Sequence, residues 1–445
     1  MKGTTLIDPQ RRRQQRGWYF YDWANSAFST TVATVFLGPY LTSLANDAAD
    51  AGQPVTLLGL FSVAPGAYIA FVISLSVLVQ VITMPIVGAL ADNARSKRRI
   101  LGLTAFIGAA ATMGLFFVQD SYQLGGVLFI IANVAFGCSV VVYNSFLPDI
   151  ATPDERNGVS SRGWALGYVG GIVLLVLNLA LFLGHTSFGI SEGLAVRISL
   201  CSAGLWWAIF TIVPLMLLTD KPHSHPPAEH VVTSGFASLG RTLRELPRYP
   251  QALLFIIAFF FFNDGIQTVI GLSATFASEE LKLGTTVIIS AVIVVQVVGI
   301  AGALLLGRWA SRIGAKRVVI VTLVLWAVML LVAYVIPAGT ASLFLVMAAG
   351  IGFILGGSQA LARSLFSQLI PRDREAEYFS LYEVSGGASS ILGPLVFGLS
   401  IAFLDSYRIA ILSLVVFFIV GGILLSRVNV RVGIQQCGNA ASGVV

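Results

Sequence analysis

Apolar residues run through this chain in long blocks, each closed by a short stretch of charge. A membrane-spanning helix takes about 20 predominantly apolar residues. Twelve stretches are long enough: 18–44, 66–90, 100–119, 124–147, 163–184, 195–218, 251–276, 285–306, 318–337, 341–368, 379–403 and 408–426. Strands of a transmembrane barrel would be about half as long and alternate in polarity, which these blocks do not do. The pattern predicts an all-α integral membrane protein of twelve transmembrane helices. The first block carries an acid, an amide and a hydroxyl within the run Asp22-Trp23-Ala24-Asn25-Ser26. Such groups are costly in a bilayer and are placed toward a bundle interior or a water-filled cavity.

Composition agrees with the blocks. Of 445 residues, 56% are hydrophobic and 11% charged, against about 25% charged in a soluble chain. The net charge of +6 would suit nucleic acid, but its distribution points elsewhere. With the N-terminus cytoplasmic, only Arg197, Lys282 and Arg408 of the 27 Lys and Arg fall outside the cytoplasmic side. The positive-inside rule then puts both termini in the cytoplasm with an even number of helices. Cys138, Cys201 and Cys437 form no pairable framework and are expected to be inert. The polar, basic first 17 residues lack the short apolar core of a signal peptide, so the first apolar helix is itself the insertion signal.

An internal duplication organises the chain. Gly88-Ala89-Leu90-Ala91-Asp92-Asn93-Ala94-Arg95-Ser96-Lys97-Arg98 aligns without gaps on Gly307-Arg308-Trp309-Ala310-Ser311-Arg312-Ile313-Gly314-Ala315-Lys316-Arg317, shifted by 219. Pro153-Asp154-Glu155-Arg156 falls on Pro371-Arg372-Asp373-Arg374, shifted by 218. Two six-helix halves in parallel orientation are a transporter arrangement, with the substrate site at their interface near the midplane. The expected organisation is a cytoplasmic tail 1–17, a six-helix half 18–218, a cytoplasmic linker 219–250, a second half 251–427 and a cytoplasmic tail 428–445. Within the linker, Phe236 to Leu246 has the composition of a short interfacial helix. His223, His225 and His230 sit among prolines with no fixed geometry for a metal.

The loop between the second and third helices resembles the major facilitator signature, G-x-x-x-D-[RK]-x-G-x-[RK]-[RK]. Gly88, Asp92, Lys97 and Arg98 match; Asn93 and Arg95 stand where a basic residue and a glycine are usual. The second copy supplies Gly307, Arg312, Gly314, Lys316 and Arg317, with Ser311 for the acid. Within that superfamily, three passages look like the vacuole effluxer-like family, which includes autophagy-related amino-acid effluxers. They are Tyr21-Asp22-Trp23-Ala24-Asn25-Ser26-Ala27-Phe28, Gly163-Trp164-Ala165-Leu166-Gly167-Tyr168-Val169-Gly170-Gly171 and Gly357-Ser358-Gln359-Ala360-Leu361-Ala362-Arg363-Ser364. Phe379-Ser380-Leu381-Tyr382 and Gly393-Pro394 continue the likeness, with Ser380 where the family pattern has glycine. The resemblance implies export of small solutes, amino acids among them, and the compact loops suit a bacterial member.

The chemistry is expected on a few side chains. Asp264 lies about 13 residues into the seventh helix, roughly 20 Å along it and near the midplane. There an acid is a candidate for proton coupling or for binding a substrate amine. Asp22 and Asn25 look like counterparts of Asp264 and Gln267, acid and amide at i and i+3 on one helical face. Asp22, however, starts only about five residues into its apolar block, so it belongs either to the site or to a cytoplasmic gate, paired with Arg16 or a basic loop. Asn144, Tyr168 and Gln359 are expected to line the cavity. Gly163, Gly167, Gly170 and Gly171 let the fifth helix approach a neighbour closely. Arg363 and Glu383 are expected to form an ion pair at cytoplasmic depth. The resemblance gives Asp92 a latch role, accepting from a helix N-terminus in the other half, with Lys97 and Arg98 tying the inner face together.

These features predict a monomeric secondary transporter of small polar solutes working by alternating access, amino-acid efflux coupled to protons being the favoured form. Its partners would be a small-molecule substrate, protons and the lipid bilayer, with no nucleic acid, cofactor or metal, in a bacterial inner membrane rather than a vacuolar one. A multidrug or other metabolite exporter is the alternative within transport. A non-transporting sensor or scaffold would need an output domain, for which linker and tail leave no room. No nucleotide loop or nucleophile motif supports an enzyme.

Overall fold

The computed structural model describes residues 8–49, 55–57, 59, 61–220, 240, 242, 244–389 and 391–444. The linker residues His223, His225 and His230 lie outside the described residues, as does most of the expected interfacial helix. Among the described residues, eleven helices are long and apolar enough to cross a membrane. The first span joins them as a composite, α1: α-helix over Pro9–Ala27, π-helix over Phe28–Phe36 and α-helix again over Leu37–Ala48. It starts nine residues before the apolar block. The Asp8 side chain accepts from the Gln10 amide and Pro9 takes the first helical position, a helix start that needs no apolar residue. In the π stretch the Thr34 hydroxyl donates to the Ser29 carbonyl at 2.7 Å, a bond five residues back that matches the wider turn.

A two-stranded hairpin follows, β1 (Val55–Leu57) antiparallel to β2 (Phe61–Val63). Then come α2 (Tyr68–Asn93), α3 (Lys97–Gly114), α4 (Tyr122–Ser145), α5 (Arg156–Leu183) and α6 (Glu192–Leu217). The second series is α7 (Pro250–Thr275), α8 (Thr285–Ile313), α9 (Ala315–Val335) and α10 (Ala341–Phe366). Two spans expected to be continuous are broken: α11 into Glu375–Ala388 and Leu392–Leu404, and α12 into Tyr407–Ser413 and Val415–Arg427. A short α13 (Val430–Gln436) closes the chain.

The contacts divide the chain into two compact units. One is Met1–Tyr143 with Leu166–Val231; the other is Asn144–Ala165 with Val232–Val445. In the first, α6 packs on α1 and α3 through small residues. A methyl at Gly17 would reach Leu217, and one at Gly204 would meet the Ala109 carbonyl at 2.7 Å. Gly167, Gly170 and Gly171 of α5 lie on Ser26, Trp23 and Thr30 of α1, the close approach expected of them. In the second unit α8 and α10 cross so tightly that a methyl at Gly352 would lie 2.5 Å from the Val295 carbonyl, and methyls at Gly302 and Gly356 would overlap backbone.

The repeated loops end α2 and α8 differently. Gly314 takes φ +95° after α8, a conformation that glycine adopts at no steric cost. Its counterpart Arg95 has no positive φ; there Ser96 caps α3 by accepting from the Arg99 amide. The departure from the signature at position 95 therefore follows from a different turn.

Candidate functional site

The acid and amide of α7 are buried side by side. Asp264 is fully buried, and its Oδ1 accepts from the Gly393 amide at 2.9 Å and the Thr268 hydroxyl at 3.4 Å. Its Oδ2 has no hydrogen-bond partner among the described residues. Asn263 donates through Nδ2 to the Ser389 hydroxyl at 2.7 Å and the Gly386 carbonyl at 3.3 Å, and its Oδ1 accepts from Gln359 Nε2 at 2.9 Å. One polar line thus joins α10, α7 and α11. Gln267 is exposed, so it does not share the buried side of Asp264. A spacing of i and i+3 brings two side chains near one another but does not give them one environment, because α11 covers only the acid.

The equivalent stretch of α1 is built on α4. Tyr143 donates to Asp22 Oδ2 at 2.6 Å, Trp18 Nε1 donates to the Tyr143 carbonyl at 2.9 Å, and the Trp18 and Tyr143 rings stack at 4.4 Å. Asp22 is half-buried and Asn25 buried. Asp22 lies 13 residues after Pro9 and Asp264 lies 14 after Pro250. Measured along their helices the two acids are therefore placed alike. The unequal depth expected from the apolar blocks arose because α1 begins with two polar turns. Asp22 thus accepts from a tyrosine of α4.

Arg363 and Glu383 meet through a third residue. In the second unit the Asn144 carboxamide accepts from Arg363 Nη1 at 3.2 Å and donates to Glu383 Oε1 at 2.8 Å. The expected pair is thus an Arg–Asn–Glu chain. Arg363, buried on α10, also donates through Nε to the Ser160 hydroxyl at 2.9 Å and through Nη2 to the Ser160 carbonyl at 3.0 Å. Its guanidinium lies 5.7 Å from the Trp164 ring centre, within cation–π range. Around it, Arg156 donates to the Ser367 carbonyl at 2.7 Å and Ser364 to Asn157 Oδ1 at 2.7 Å. These contacts hold the end of α4 and the start of α5 against the end of α10. Asn144 and Arg363 are themselves 219 positions apart, the shift of the repeated loop. Tyr168, also buried, sits beyond this cluster along α5.

Of the signature charges, Asp92, Lys97, Arg98 and Lys316 each have a partner within their own unit. Lys97 Nζ lies 3.0 Å from Asp92 Oδ1. Arg98 donates to the Leu215 carbonyl at 3.1 Å, and its amide donates to Asp220 Oδ1 at 2.9 Å. Lys316 likewise donates to the Ser426 and Val428 carbonyls, at 2.7 and 2.8 Å. In each copy a basic residue at the start of a helix thus satisfies the last carbonyls of α6 or α12, where the helix dipole favours a cation. A Cβ on Gly307 would overlap the Ser161 hydroxyl, so the motif glycine is what admits α5 to α8.

The model of the family described as "Vacuole effluxer Atg22 like" matches residues 10–438. The chain belongs to that family. The MFS-type transporter YxiO of Bacillus subtilis (strain 168) is 30% identical over 421 residues, covering 94% of this chain and 95% of that protein. Autophagy-related protein 22 of Kluyveromyces lactis is 25% identical over 467 residues, covering 94% of each. Among solved structures, the major facilitator superfamily transporter FucP superposes with a TM-score of 0.66 at 14% identity, over 95% of this chain and 99% of that one. The chain is a multi-pass membrane protein with the major facilitator fold.

Within each unit the effluxer passages are engaged. Tyr21–Phe28 lies against the glycines of the α5 passage, and the α10 passage supplies Gln359, Arg363 and Ser364 to the two networks. Ser380, the departure on α11, is buried with its hydroxyl donating to the Glu377 carbonyl at 2.6 Å, so the added oxygen is satisfied in place. Several participants are not singled out by the sequence, Asn263 and Ser160 among them. Asn263 was signalled only as an amide beside an acid in an aromatic run. Ser160 was signalled by a hydroxyl pair just ahead of an apolar block.

Proposed function

We propose that this effluxer-family chain exports small polar solutes, amino acids first among them, from the cytoplasm across a bacterial inner membrane. It works as a monomer with both termini cytoplasmic, alternating between two six-helix halves, 18–218 and 251–427, and coupling export to proton entry. The observation that carries the coupling is Asp264: a fully buried acid with one oxygen held and the other without a partner. A buried carboxylate in that condition is stabilised by taking a proton. Asp22, Asn25, Gln267, Tyr168 and Gln359 complete the solute and proton path. Arg363, Asn144 and Glu383 form the gate, since their chain of bonds must part when the α4–α5 segment leaves α10. Asp92, Lys97 and Arg98 keep the inner ends of their own helices together.

Export as the direction draws on the family's description as effluxers, and the bacterial membrane on the likeness to YxiO. The test is uptake of labelled amino acids into inverted vesicles, with and without an imposed pH gradient. Wild type should accumulate label only with the gradient, and Asp264→Asn should fall to background. Equal accumulation by both would remove Asp264 as the coupling group. No accumulation of any amino acid by wild type would remove the substrate class.

A further inference from the structure

Asn263 and Asp264 are consecutive on α7, and they hold opposite sides of the break in α11. Asn263 bonds the end of the first half, at the Gly386 carbonyl and the Ser389 hydroxyl. Asp264 bonds the start of the second half, at the Gly393 amide. No side chain of α11 itself caps that second half; the cap is supplied from α7. The fit is close, because a Cβ on Gly393 would overlap the Thr268 hydroxyl and lie 2.9 Å from Asp264 Oδ1.

We propose that this break is a hinge clamped by α7, and that a proton taken up at Asp264 Oδ2 releases it. An ionised carboxylate binds a helix N-terminus through its charge as well as its hydrogen bond. One proton added to the free Oδ2 takes the side chain from −1 to neutral and weakens the Oδ1 bond to Gly393. The second half of α11, Leu392–Leu404, then swings while Asn263 keeps the first half in place. The neighbours leave Asp264 as the group that titrates. Thr268 shares its helix, Gly393 is the α11 contact, and Phe417 and Phe418 of α12 pack on the same turn at Gly265. No charged side chain acts on Asp264 among the described residues. On α11, Glu383 is engaged by Asn144 and lies in the first half. The proposal rests on Asp264 being the coupling acid and adds the element through which coupling acts.

The test is labelling of a single cysteine at Ile391, an exposed residue of the break, in the full chain in liposomes with Cys138, Cys201 and Cys437 replaced. With an impermeant maleimide whose own pH dependence has been measured on an exposed control cysteine, the corrected rate should rise on the order of tenfold from mildly alkaline to mildly acidic pH. That is the response of a minor open state brought up by one proton. Asp264→Asn and Gly393→Ala should each be fast at every pH, the first by removing the charge and the second by forcing the halves apart. Asn263→Ala should be faster than wild type yet still respond to pH, which separates the proton from mere loosening. A wild-type pH response in Asp264→Asn overturns the proposal. So does a rate that follows sodium ion concentration instead of pH. The labelling needs no solute, so its failure is distinct from failure of amino-acid uptake.

Discussion

Asn144 carries two charges at once, receiving a guanidinium N–H on its oxygen and giving an N–H to a carboxylate. An aliphatic side chain of similar size would leave Arg363 and Glu383 facing each other across an apolar gap. Hydrogen bonds to charged groups contribute about 1.5–3 kcal/mol each. Asn144→Leu should therefore lower unfolding stability by about 3 kcal/mol, read as a fall in the midpoint of thermal unfolding in detergent. Glu383→Gln, which keeps an acceptor for Asn144, should cost less than half as much. A loss of the same size in both would mean that Asn144 is not the bridge. A second residue-scale expectation concerns Cys437, which donates to the Leu369 carbonyl at 3.0 Å. Burial pushes its thiol up to about 11. The thiolate is the reactive form, so alkylation of Cys437 at neutral pH should be slower than that of an exposed thiol by on the order of a hundredfold. The rate should climb as pH rises toward 11, as followed by intact-mass spectrometry.

At the scale of elements, the packing of α5 on α8 turns on one glycine. Gly307→Ala places a methyl on the Ser161 hydroxyl. Overpacking of this kind costs about 1–3 kcal/mol, and Ser161→Gly in the same chain should restore most of it. Gly158→Ala, one turn away with nothing within 4 Å, should be neutral or stabilise by about 0.4–1 kcal/mol. Thermal midpoints of the three variants against wild type check this, and equal effects at 158 and 307 would sink the packing account. The same pair shows what the sequence could yield. Twelve apolar blocks are visible because burial in lipid imposes a length and a composition on every span. The motif glycines are visible because two copies align. Which glycine bears on a neighbour depends on helix crossings, which no periodicity contains. The break in α11 did have a signal: Pro394 lacks the N–H that would bond four residues back, and Gly386, Gly387 and Gly393 flank that point. For the site, the acid of α7 was legible as an ionisable group in an apolar block. Its environment was not, because Gly393 contributes a backbone amide, a donor that every position shares. The bridge by Asn144 was missed for a related reason: sequence offers charges to pair, whereas the fold decides what stands between them.

For the whole molecule, the charge count and the contacts can be set against each other. In the second unit α13 is bound to the α10–α11 connection, with Asn439 Nδ2 donating to the Gln368 and Ile370 carbonyls at 3.1 and 2.7 Å. The Gly443 amide donates to Asp154 Oδ1 of the α4–α5 connection at 2.7 Å. The C-terminal segment therefore shares a side with two connections that the basic residues assign to the cytoplasm. In the first unit Gln14 bonds Thr219 and Arg98 bonds Asp220, placing the N-terminal turns, the α2–α3 loop and the end of α6 together. Two of the three exceptions to the charge rule, Arg408 and Arg197, are accounted for within the units too. Arg408 is paired with Glu280 at 2.6 Å and donates to the Tyr334 carbonyl. Arg197 donates to the Phe116 carbonyl at 3.4 Å and lies over the Phe116 ring. Each is tied to a turn at the opposite ends of the helices, so neither is free to draw those ends toward the cytoplasm. Juxtamembrane Lys and Arg set orientation when they lie in short loops, and here both copies of the signature loop vote the same way. Alkaline phosphatase, active only outside the cytoplasm, should therefore be inactive when fused after Ser442 and active when fused after Gly339 in the α9–α10 turn. Green fluorescent protein at the same two positions should give the reverse. An active phosphatase at Ser442 would invert the chain and, with it, the direction in which Asp264 could receive its proton.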